Sequence, residues 1–374
     1  MEPRALTQDS GILPAQDIRE LIDAGHVRSS AGGLDTLVQP ASLDLTLGSV
    51  AYRVRASFLP GKGVPVADRV AALNMHSLDL TGDTVLEVGC VYIVPLSESL
   101  ALPSEVWGLA NPKSSTGRLN VFTRLIADGT TVFDRVPAGY DGPLYAEIAP
   151  NAFSIKVRQG DRLNQLRFKR GSQVLSDPAH RRLDQEHQVF STPEGGEAEV
   201  REGLVFTVDL SGDNASGLAG FRAKRHAGVI DLARIGAYDP REFWDPLPPT
   251  ERRDLILDPN EFYILASREF VRIPPDCAAE MVPYDVQVGE FRVHYAGFFD
   301  PGFGWDPNGG PGTKAVLEVR SHEVPFLLEH GQAVGRLVYD RLAAIPNQLY
   351  GSGIGSSYHG QSLTLSKHFQ PWTA

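Results

Sequence analysis

Cysteine is almost absent from this chain of 374 residues, which contains only Cys90 and Cys277. Two cysteines cannot build a disulfide framework, and they are too few for a cysteine-rich zinc site. The sequence also lacks a run of about 18 apolar residues, and its N-terminus lacks a charged segment followed by an apolar core. We therefore expect a protein of a reducing compartment with no membrane association, and we predict a cytoplasmic location.

An excess of basic residues is also missing. Lys and Arg number 35 against 46 Asp and Glu, which gives a formal net charge of −11. Nucleic-acid binding depends on a concentrated basic surface, and the sequence has no long Lys/Arg block. Binding to nucleic acid is therefore not expected. The hydrophobic fraction of 42% and the charged fraction of 22% exclude an intrinsically disordered chain.

Several catalytic signatures are absent too. Zinc-dependent nucleobase deaminases carry His-x-Glu and Pro-Cys-x-x-Cys patterns, and zinc proteases carry His-Glu-x-x-His, but none of these occurs here. His322 and Glu323 are adjacent without a second His at the required spacing. The Gly-x-Ser-x-Gly turn of serine hydrolases is missing as well. Hydrolysis by protein-bound zinc or by a serine nucleophile is therefore disfavoured.

Glycine and proline, with 37 and 27 residues, are by contrast abundant. They separate short apolar runs such as residues 91–94 and 163–168, a pattern typical of short strands joined by close turns. One helix is predicted after Pro14, where apolar residues recur at helical spacing up to Gly25. We therefore predict a mainly β fold of sandwich or jelly-roll type with a few short helices.

The chain contains an internal duplication. Three matching pairs, each 171 residues apart, are Tyr92 and Tyr263, Pro103 and Pro274, and Glu147 and Glu318. Residues 41–48 also have an echo in residues 229–236, at a larger spacing that we attribute to a longer loop in the first half. A period this long indicates a duplicated domain rather than a solenoid. The predicted organisation is a first domain over 1–180, a linker over 181–202 and a second domain over 203–374.

The polar segment 111–118 contains one Lys, two Ser, one Thr and one Arg. Ser and Thr are common helix caps, so one interpretation is a turn or a helix N-terminus. The other is an anion-binding loop, in which hydroxyls, backbone N–H groups and Arg118 converge on a phosphate. The glycine spacing of a Walker A loop is absent. Residue types alone leave both interpretations open.

Glu147 lies inside the apolar run 144–148. Alternation along a strand allows two orientations of its side chain. The carboxylate either faces solvent, or it faces inward, where a buried carboxylic acid is suited to general acid–base chemistry.

Taken together, these residues resemble the dCTP deaminases of the trimeric dUTPase superfamily. That family has an Arg-Ser-Ser-x-Ala-Arg segment, an Ala nine residues later, an Asp before a Gly-aromatic-x-Gly turn, and a Glu at the end of a Val-Leu-Glu strand. The matching residues here are Lys113 to Arg118, Ala127, Asp134, the turn 139–142, and Glu147. The resemblance extends to a C-terminal tail with Tyr350 and Gln361, and it implies two tandem dUTPase-like distorted β-barrel or jelly-roll domains.

The resemblance further implies zinc-independent hydrolysis of dCTP to dUTP and ammonia. It implies that Glu147 shuttles protons, that Ser114 and the Ala127 carbonyl hold the reacting water, and that Arg118 stabilises charge. The other implied nucleotide-binding residues are Lys113, Ser115, Thr116, Gly117, Asp134, Tyr145, Ala146, Tyr350 and Gln361. It also implies Mg²⁺ carried by the triphosphate with no protein metal site, possible feedback inhibition by dTTP, and a homo-oligomer, with a trimer favoured.

The two halves differ in these residues, and Lys113 and Gly117 replace the family's Arg and Ala. At the 171-residue spacing, the second half has Asp285, Val286 and Gly289 at the positions of Ser114, Ser115 and Arg118. It keeps Ala296, Asp300 and Glu318. We therefore predict that the first half is catalytic and the second structural. Two alternatives stay open: a dUTP pyrophosphatase or bifunctional deaminase–dUTPase, and a non-catalytic nucleotide-binding regulatory protein.

Overall fold

A computed structural model describes residues 10–195, 197–283, 291–294, 297–307, 309–321, 323–351, 358 and 360–373. As far as these residues show, the chain forms two compact units. The first comprises Met1–Gln173, Gly228–Arg234 and Leu342–Asn347, and the second comprises Val174–Ala227, Ile235–Arg341 and Gln348–Ala374. Among the described residues, no helix is long and apolar enough to cross a membrane.

The first unit contains short helices and many strands, labelled here along the whole chain. Its helices are α1 (Ala15–Asp23), a 3₁₀ helix (Leu34–Leu37), α2 (Val66–Leu73) and α3 (Ser114–Gly117). Its strands are β1 (Gly11–Ile12), β2 (Val27–Ser29), β3 (Leu43–Leu45), β4 (Val50–Val54), β5 (Asn74–Asp79), β6 (Thr84–Leu86), β7 (Val91–Ala101), β8 (Val106–Pro112), β9 (Val121–Ala127), β10 (Arg135–Val136), β11 (Asp141–Pro150), β12 (Ile155–Val157), β13 (Asn164–Arg170) and β17 (Ile230–Asp231).

The helix predicted after Pro14 is confirmed as α1. Pro14 takes the N-cap position, where its missing N–H costs no intrahelical bond. Ile18 and Leu21 lie on the buried face of the helix. Just beyond the C-terminus of α1, Gly25 has a φ of +75°, a conformation that glycine adopts without strain.

Two sheets form most of the first unit. The strand order is β5-β4-β7-β11-β9 in one sheet, which β2 joins through β7, and β1-β13-β8-β10 in the other, which β3 joins through β13. A smaller sheet has the order β17-β12-β6. Inward residues of both main sheets, such as Leu125 of β9, Leu144 of β11 and Phe168 of β13, belong to one apolar core.

The second unit has the same texture. Its helices are α4 (Asp177–His187) and α5 (Pro240–Phe243), and its strands are β14 (Phe190–Ser191), β15 (Leu204–Asp209), β16 (Gly220–Ala223), β18 (Trp244–Leu247), β19 (Asp254–Leu257), β20 (Phe262–Val271), β21 (Cys277–Pro283), β22 (Phe291–His294), β23 (Phe298–Phe299), β24 (Thr313–Ser321), β25 (Phe326–Glu329) and β26 (Ala333–Arg341). The largest sheet follows the order β18-β16-β20-β15-β26-β21-β23, with β24 beside β20. The predicted mainly β fold with few short helices is confirmed.

The two units repeat one hydrogen-bonding pattern. In the first, the Thr46 N–H and hydroxyl donate to the two carboxyl oxygens of Glu98, at 2.8 and 2.7 Å. In the second, the Thr207 N–H donates to Glu269 at 2.9 Å, and its hydroxyl donates to the other carboxyl oxygen. Glu98 and Glu269 are 171 residues apart, so the duplication extends to buried polar pairs.

The echo of residues 41–48 in residues 229–236 is wrong. In the first unit Leu45 of β3 lies opposite Asn164, and in the second unit Phe206 of β15 lies opposite Gly335, 171 residues after Asn164. The true counterpart of β3 is therefore β15, at a smaller spacing, because the longer loop (residues 210–219) is in the second half. Residues 230–231 instead form β17, which pairs in parallel with β12 of the first unit.

Part of the segment assigned to a linker is structured. Residues 177–187 form α4, in which His180 and Leu183 are buried. The His180 Nε2 accepts a hydrogen bond from the Tyr339 N–H at 3.0 Å. These contacts fix α4 within the second unit, so the boundary between the units lies at residues 173 and 174 rather than after residue 180.

Candidate active site

Glu147 lies in the middle of β11 and is buried, with 1% of its surface exposed. In the antiparallel sheet it is directly opposite Ile93 of β7 on one side and Arg124 of β9 on the other. Directly opposed residues project from the same face of a sheet, so these three side chains are neighbours. Of the two orientations open to Glu147, the inward one is therefore correct.

The two carboxyl oxygens of Glu147 have different surroundings. Oε1 accepts two hydrogen bonds from Arg124, at 3.1 Å from Nε and 2.6 Å from Nη2. Oε2 is buried and has no hydrogen-bond partner among the described residues. A buried carboxyl oxygen without a partner is costly, so it marks a place where a water or a ligand group can bind.

Arg124 is itself held from several sides. Its guanidinium carbon lies 3.4 Å from the centroid of the Phe133 ring and 4.4 Å from that of Phe122, within the range of cation–π interactions. Nη2 also donates to the Ser57 hydroxyl at 3.0 Å. Ser57 belongs to residues 55–73, called here the α2 segment.

The α2 segment contributes to an apolar cluster on the Glu147 face of the sheet. The cluster joins Val66 and Val70 of α2 to Ile93 and Ile126, with Phe58, Phe133 and Tyr145 packed against it. Burial raises the pKa of the Tyr145 hydroxyl. An apolar environment of this kind strengthens electrostatic interactions at the carboxylate beside it.

The polar segment 113–118 forms the single turn α3, so the turn interpretation is correct for its backbone. Lys113 takes the N-cap position and Arg118 the C-cap position, and α3 packs against β9, the strand that carries Arg124. Ser114 is partly exposed, whereas Ser115, Thr116, Gly117 and Arg118 are buried. Whether this turn also binds an anion stays a prediction.

Lys113 has an acidic partner in the structure. Its Nζ contacts Oδ1 of Asp44, which is 2% exposed, and Arg162 approaches the other carboxyl oxygen at 3.5 Å. Any phosphate bound by Lys113 would therefore share that ammonium group with Asp44.

Ala127 and Asp134 hold the loop after β9. The Ala127 carbonyl accepts from the Thr130 hydroxyl at 2.8 Å. Asp134 has a φ of +61°, and its Oδ1 accepts from the Leu125 N–H at 2.7 Å. Asp128 binds the first residue of α2, because its Oδ1 accepts from the Val66 N–H at 2.7 Å. The loop therefore connects β9 with the α2 segment.

The remaining predicted residues lie elsewhere. Ala146 is buried and, by alternation along β11, projects from the opposite face to Glu147. Tyr350 and Gln361 belong to the second unit, where the Tyr350 ring lies 5.6 Å from that of Phe303 and the Gln361 side-chain amide donates to the Lys314 carbonyl at 3.3 Å. Ser114, Arg118, Ala127 and Glu147 all belong to the first unit.

The second unit keeps the strand position of Glu147. Glu318 is 5% exposed and lies on β24, opposite Ile264 of β20. Asp300 is also buried. Ala296 and the counterparts of the Ser-Ser-x-x-Arg segment, residues 285, 286 and 289, lie outside the described residues.

Sequence reasoning missed Arg124, Ser57 and Phe133. The alternation of Arg124 with apolar residues in β9 is a weak signal, and only the register between β9 and β11 pairs it with Glu147. No group of three or more His, Cys, Asp or Glu side chains that could hold a metal ion occurs in the described part of the chain.

Comparison with known proteins gives the following matches. Models of the N-terminal and C-terminal domains of 2′-deoxycytidine 5′-triphosphate deaminase match residues 9–172 and 176–369. The crystal structure of 2′-deoxycytidine 5′-triphosphate deaminase from Agrobacterium tumefaciens is 52% identical, with a TM-score of 0.85, and the match covers 90% of this chain and 100% of that one.

Two similar proteins are each named "dCTP deaminase, dUMP-forming". The one from Beutenbergia cavernae is 30% identical over 147 residues, which is 37% of this chain and 73% of the relative. The one from Mycolicibacterium gilvum is 31% identical over 150 residues, which is 38% of this chain and 75% of the relative.

Proposed function

This chain belongs to the 2′-deoxycytidine 5′-triphosphate deaminase family, and we propose that it hydrolyses dCTP to dUTP and ammonia at Glu147 of its first unit. The observation that carries the assignment to Glu147 is its buried carboxylate, with one oxygen bound by Arg124 and the other without a partner among the described residues. The unpartnered oxygen provides a place for a water that can give up a proton.

The proposed reaction uses Glu147 as a proton shuttle. Oε2 takes a proton from the water, the water oxygen bonds to C4 of cytosine, and the same proton passes to N3. The tetrahedral carbon then transfers its hydroxyl proton, by way of Glu147, to the amino group. The C4–N bond breaks, ammonia leaves, and C4 becomes the carbonyl of uracil while Glu147 returns to its ionised state.

Ser114, Ala127 and Arg118 complete the proposed site. The Ser114 hydroxyl and the Ala127 carbonyl would hold the water within hydrogen-bond reach of Glu147, which lowers the entropic part of the barrier. Arg118 would stabilise the charge that develops during attack. Support for this grouping comes from the position of α3 against β9, the strand adjacent to Glu147.

The nucleotide contacts are proposed on family membership together with side-chain chemistry. Lys113 supplies a cation for the triphosphate, and Ser115, Thr116 and Gly117 supply polar groups of the same turn. Asp134, Tyr145 and Ala146 would contact the nucleoside, and Tyr350 and Gln361 would contribute from the C-terminal tail. Mg²⁺ would arrive with the triphosphate and retain water ligands, because this ion dehydrates reluctantly. Feedback inhibition by dTTP, a trimer and a cytoplasmic location are proposals of the same kind.

A second candidate product is dUMP. It is favoured by the names of the two relatives above, which are dUMP-forming. Forming dUMP requires a second water to attack the α-phosphate of dUTP and release pyrophosphate. Parallel assays of ammonia and pyrophosphate from dCTP distinguish the two: ammonia alone indicates dUTP, and equal amounts of both indicate dUMP.

The test of the proposed site is the variant Glu147→Gln, which keeps the size of the side chain but cannot shuttle a proton. We expect ammonia release to fall by about 10²–10⁴-fold, the usual contribution of general acid–base catalysis. Circular dichroism and thermal unfolding serve as the folding control. Near wild-type turnover in a folded Glu147→Gln protein would refute the assignment. Tight dCTP binding by the wild-type protein without any product would instead favour the regulatory alternative.

A further inference from the structure

Arg124 has no part in the reaction proposed above, yet its guanidinium contacts the carboxylate that carries the reaction. We propose that Arg124 is a positioning residue, which binds Oε1 of Glu147 so that Oε2 is the oxygen available to the reacting water. This inference rests on the proposed role of Glu147.

The first argument is the geometry of the ion pair. Both Arg124 donors converge on the same oxygen, Nε at 3.1 Å and Nη2 at 2.6 Å. A half-turn of the carboxylate about its terminal bond would exchange the two oxygens but would break both of these charge-assisted hydrogen bonds. The pair therefore fixes which oxygen is bound and leaves Oε2 buried, with no partner among the described residues.

The second argument is that Arg124 is itself held in place. The Phe133 ring lies 3.4 Å from the guanidinium carbon on one side, and Ser57 accepts from Nη2 at 3.0 Å. Phe133 immediately precedes Asp134, whose carboxylate is bonded to the β9 backbone. Two different segments of the first unit thus orient the arginine that orients Glu147.

The third argument concerns chemistry. A guanidinium has only donors and stays protonated at any ordinary pH, so Arg124 cannot exchange protons with water or with the base. Its effect must pass through Glu147. Arg124 is also accessible from solvent, with 24% of its side chain exposed against 1% for Glu147. A small cation can therefore reach its place when the side chain is shortened.

These features define a chemical-rescue experiment on the full-length protein with dCTP. We expect Arg124→Ala to lower kcat for ammonia release by about 10²-fold, the usual effect of misplacing a catalytic group, with a much smaller change in KM. Added guanidinium chloride at low, non-denaturing concentration should restore part of kcat. Arg124→Lys should keep an intermediate kcat, because an ammonium group cannot reproduce the two parallel bonds.

The matched control is Arg222→Ala. Arg222 forms an arginine–carboxylate pair with Asp245 in the second unit, with an N–O distance of 3.1 Å. We expect this variant to keep wild-type kcat and to show no response to guanidinium. The control separates the rescue of a positioned carboxylate from a general effect of the salt.

The outcomes distinguish this inference from the proposed function. If Glu147→Gln stays active, the proposed function fails and the inference with it. If Glu147→Gln is inactive while Arg124→Ala or Arg124→Lys keeps wild-type kcat, only the inference is overturned. A loss of kcat in folded Arg124→Ala that guanidinium does not restore also overturns it. Should Arg124→Ala fail to fold, the kcat of Arg124→Lys decides: an unchanged value refutes positioning, and a lowered kcat with unchanged KM supports it.

Discussion

Each buried glutamate of the duplicated Thr–Glu pairs should contribute measurably to the stability of its own unit. Thr46→Val preserves side-chain shape and the backbone N–H bond to Glu98, but it removes the hydroxyl bond of 2.7 Å. Glu98 is 1% exposed, so the abandoned carboxyl oxygen has no ready access to solvent. Leaving a buried acceptor unsatisfied costs about 1–3 kcal/mol. The equivalent change Thr207→Val in the second unit should have a cost of the same size, because Glu269 is 3% exposed and bonded in the same way.

Differential scanning calorimetry of the wild type and both variants measures these costs. For a domain of about 150–250 residues, each kcal/mol lowers the melting temperature by about 2–4 °C. Thr131→Val is the control, since Thr131 is exposed, and we expect it to change the melting temperature only slightly. If Thr46→Val and Thr207→Val are no more destabilising than Thr131→Val, the buried pairs do not have the energetic role that their geometry indicates.

Two further predictions concern the second unit. Burial lowers the pKa of His180, so the unfolded chain takes up the proton first and stability should fall as pH drops below about 6.5; thermal unfolding between pH 7.5 and 5.5 should show a weaker pH dependence in His180→Gln, and an unchanged slope would contradict this. Glu318→Gln should keep wild-type ammonia release, and if it abolishes release in a folded protein while Glu147→Gln does not, the catalytic unit has been chosen wrongly.

The sequence was sufficient to predict features that depend on local spacing. Strand texture, the helix after Pro14 and the 171-residue repeat are visible in turn residues and apolar periodicity alone. The counterpart of β3 was misassigned because an apolar pair next to an Asp occurs by chance in many strands. Residues 230–231 resemble β3 in composition, but only the hydrogen-bonded register with β26 identifies β15 as its equivalent. Pairing partners far apart in the chain are not encoded in local periodicity.

The same limit explains which parts of the candidate site were missed. Glu147 was found because a carboxylate in an apolar strand is conspicuous, whereas its orientation needed the sheet. Arg124 is separated from Glu147 by 23 residues, and neither spacing nor composition indicates that the two are paired. Ser57 is still more distant and reaches Arg124 only because the α2 segment lies on that face of the sheet.

The argument for a single catalytic unit becomes stronger when the two copies are compared by register rather than by motif. Glu318 retains the strand position of Glu147 and is nearly as buried. The residue opposite it on β22 is His294, whereas the residue opposite Glu147 on β9 is Arg124. A guanidinium is a permanent cation with its donors in a fixed fork, but a histidine has an ordinary pKa of about 6.5 and is mostly neutral at pH 7. The second copy has therefore kept the carboxylate and lost the permanent charge opposite it.

The acidic partner of Lys113 has been lost in the same way. Asp44 lies opposite Gln165 in the first unit, and the residue at the equivalent place on β15 is Val205, opposite Arg336. Valine has no charged group with which to hold a lysine. A general base contributes to the rate only when its geometry is fixed. Since the second copy lacks groups that surround the first carboxylate and its neighbouring turn, catalysis is expected from the first unit alone.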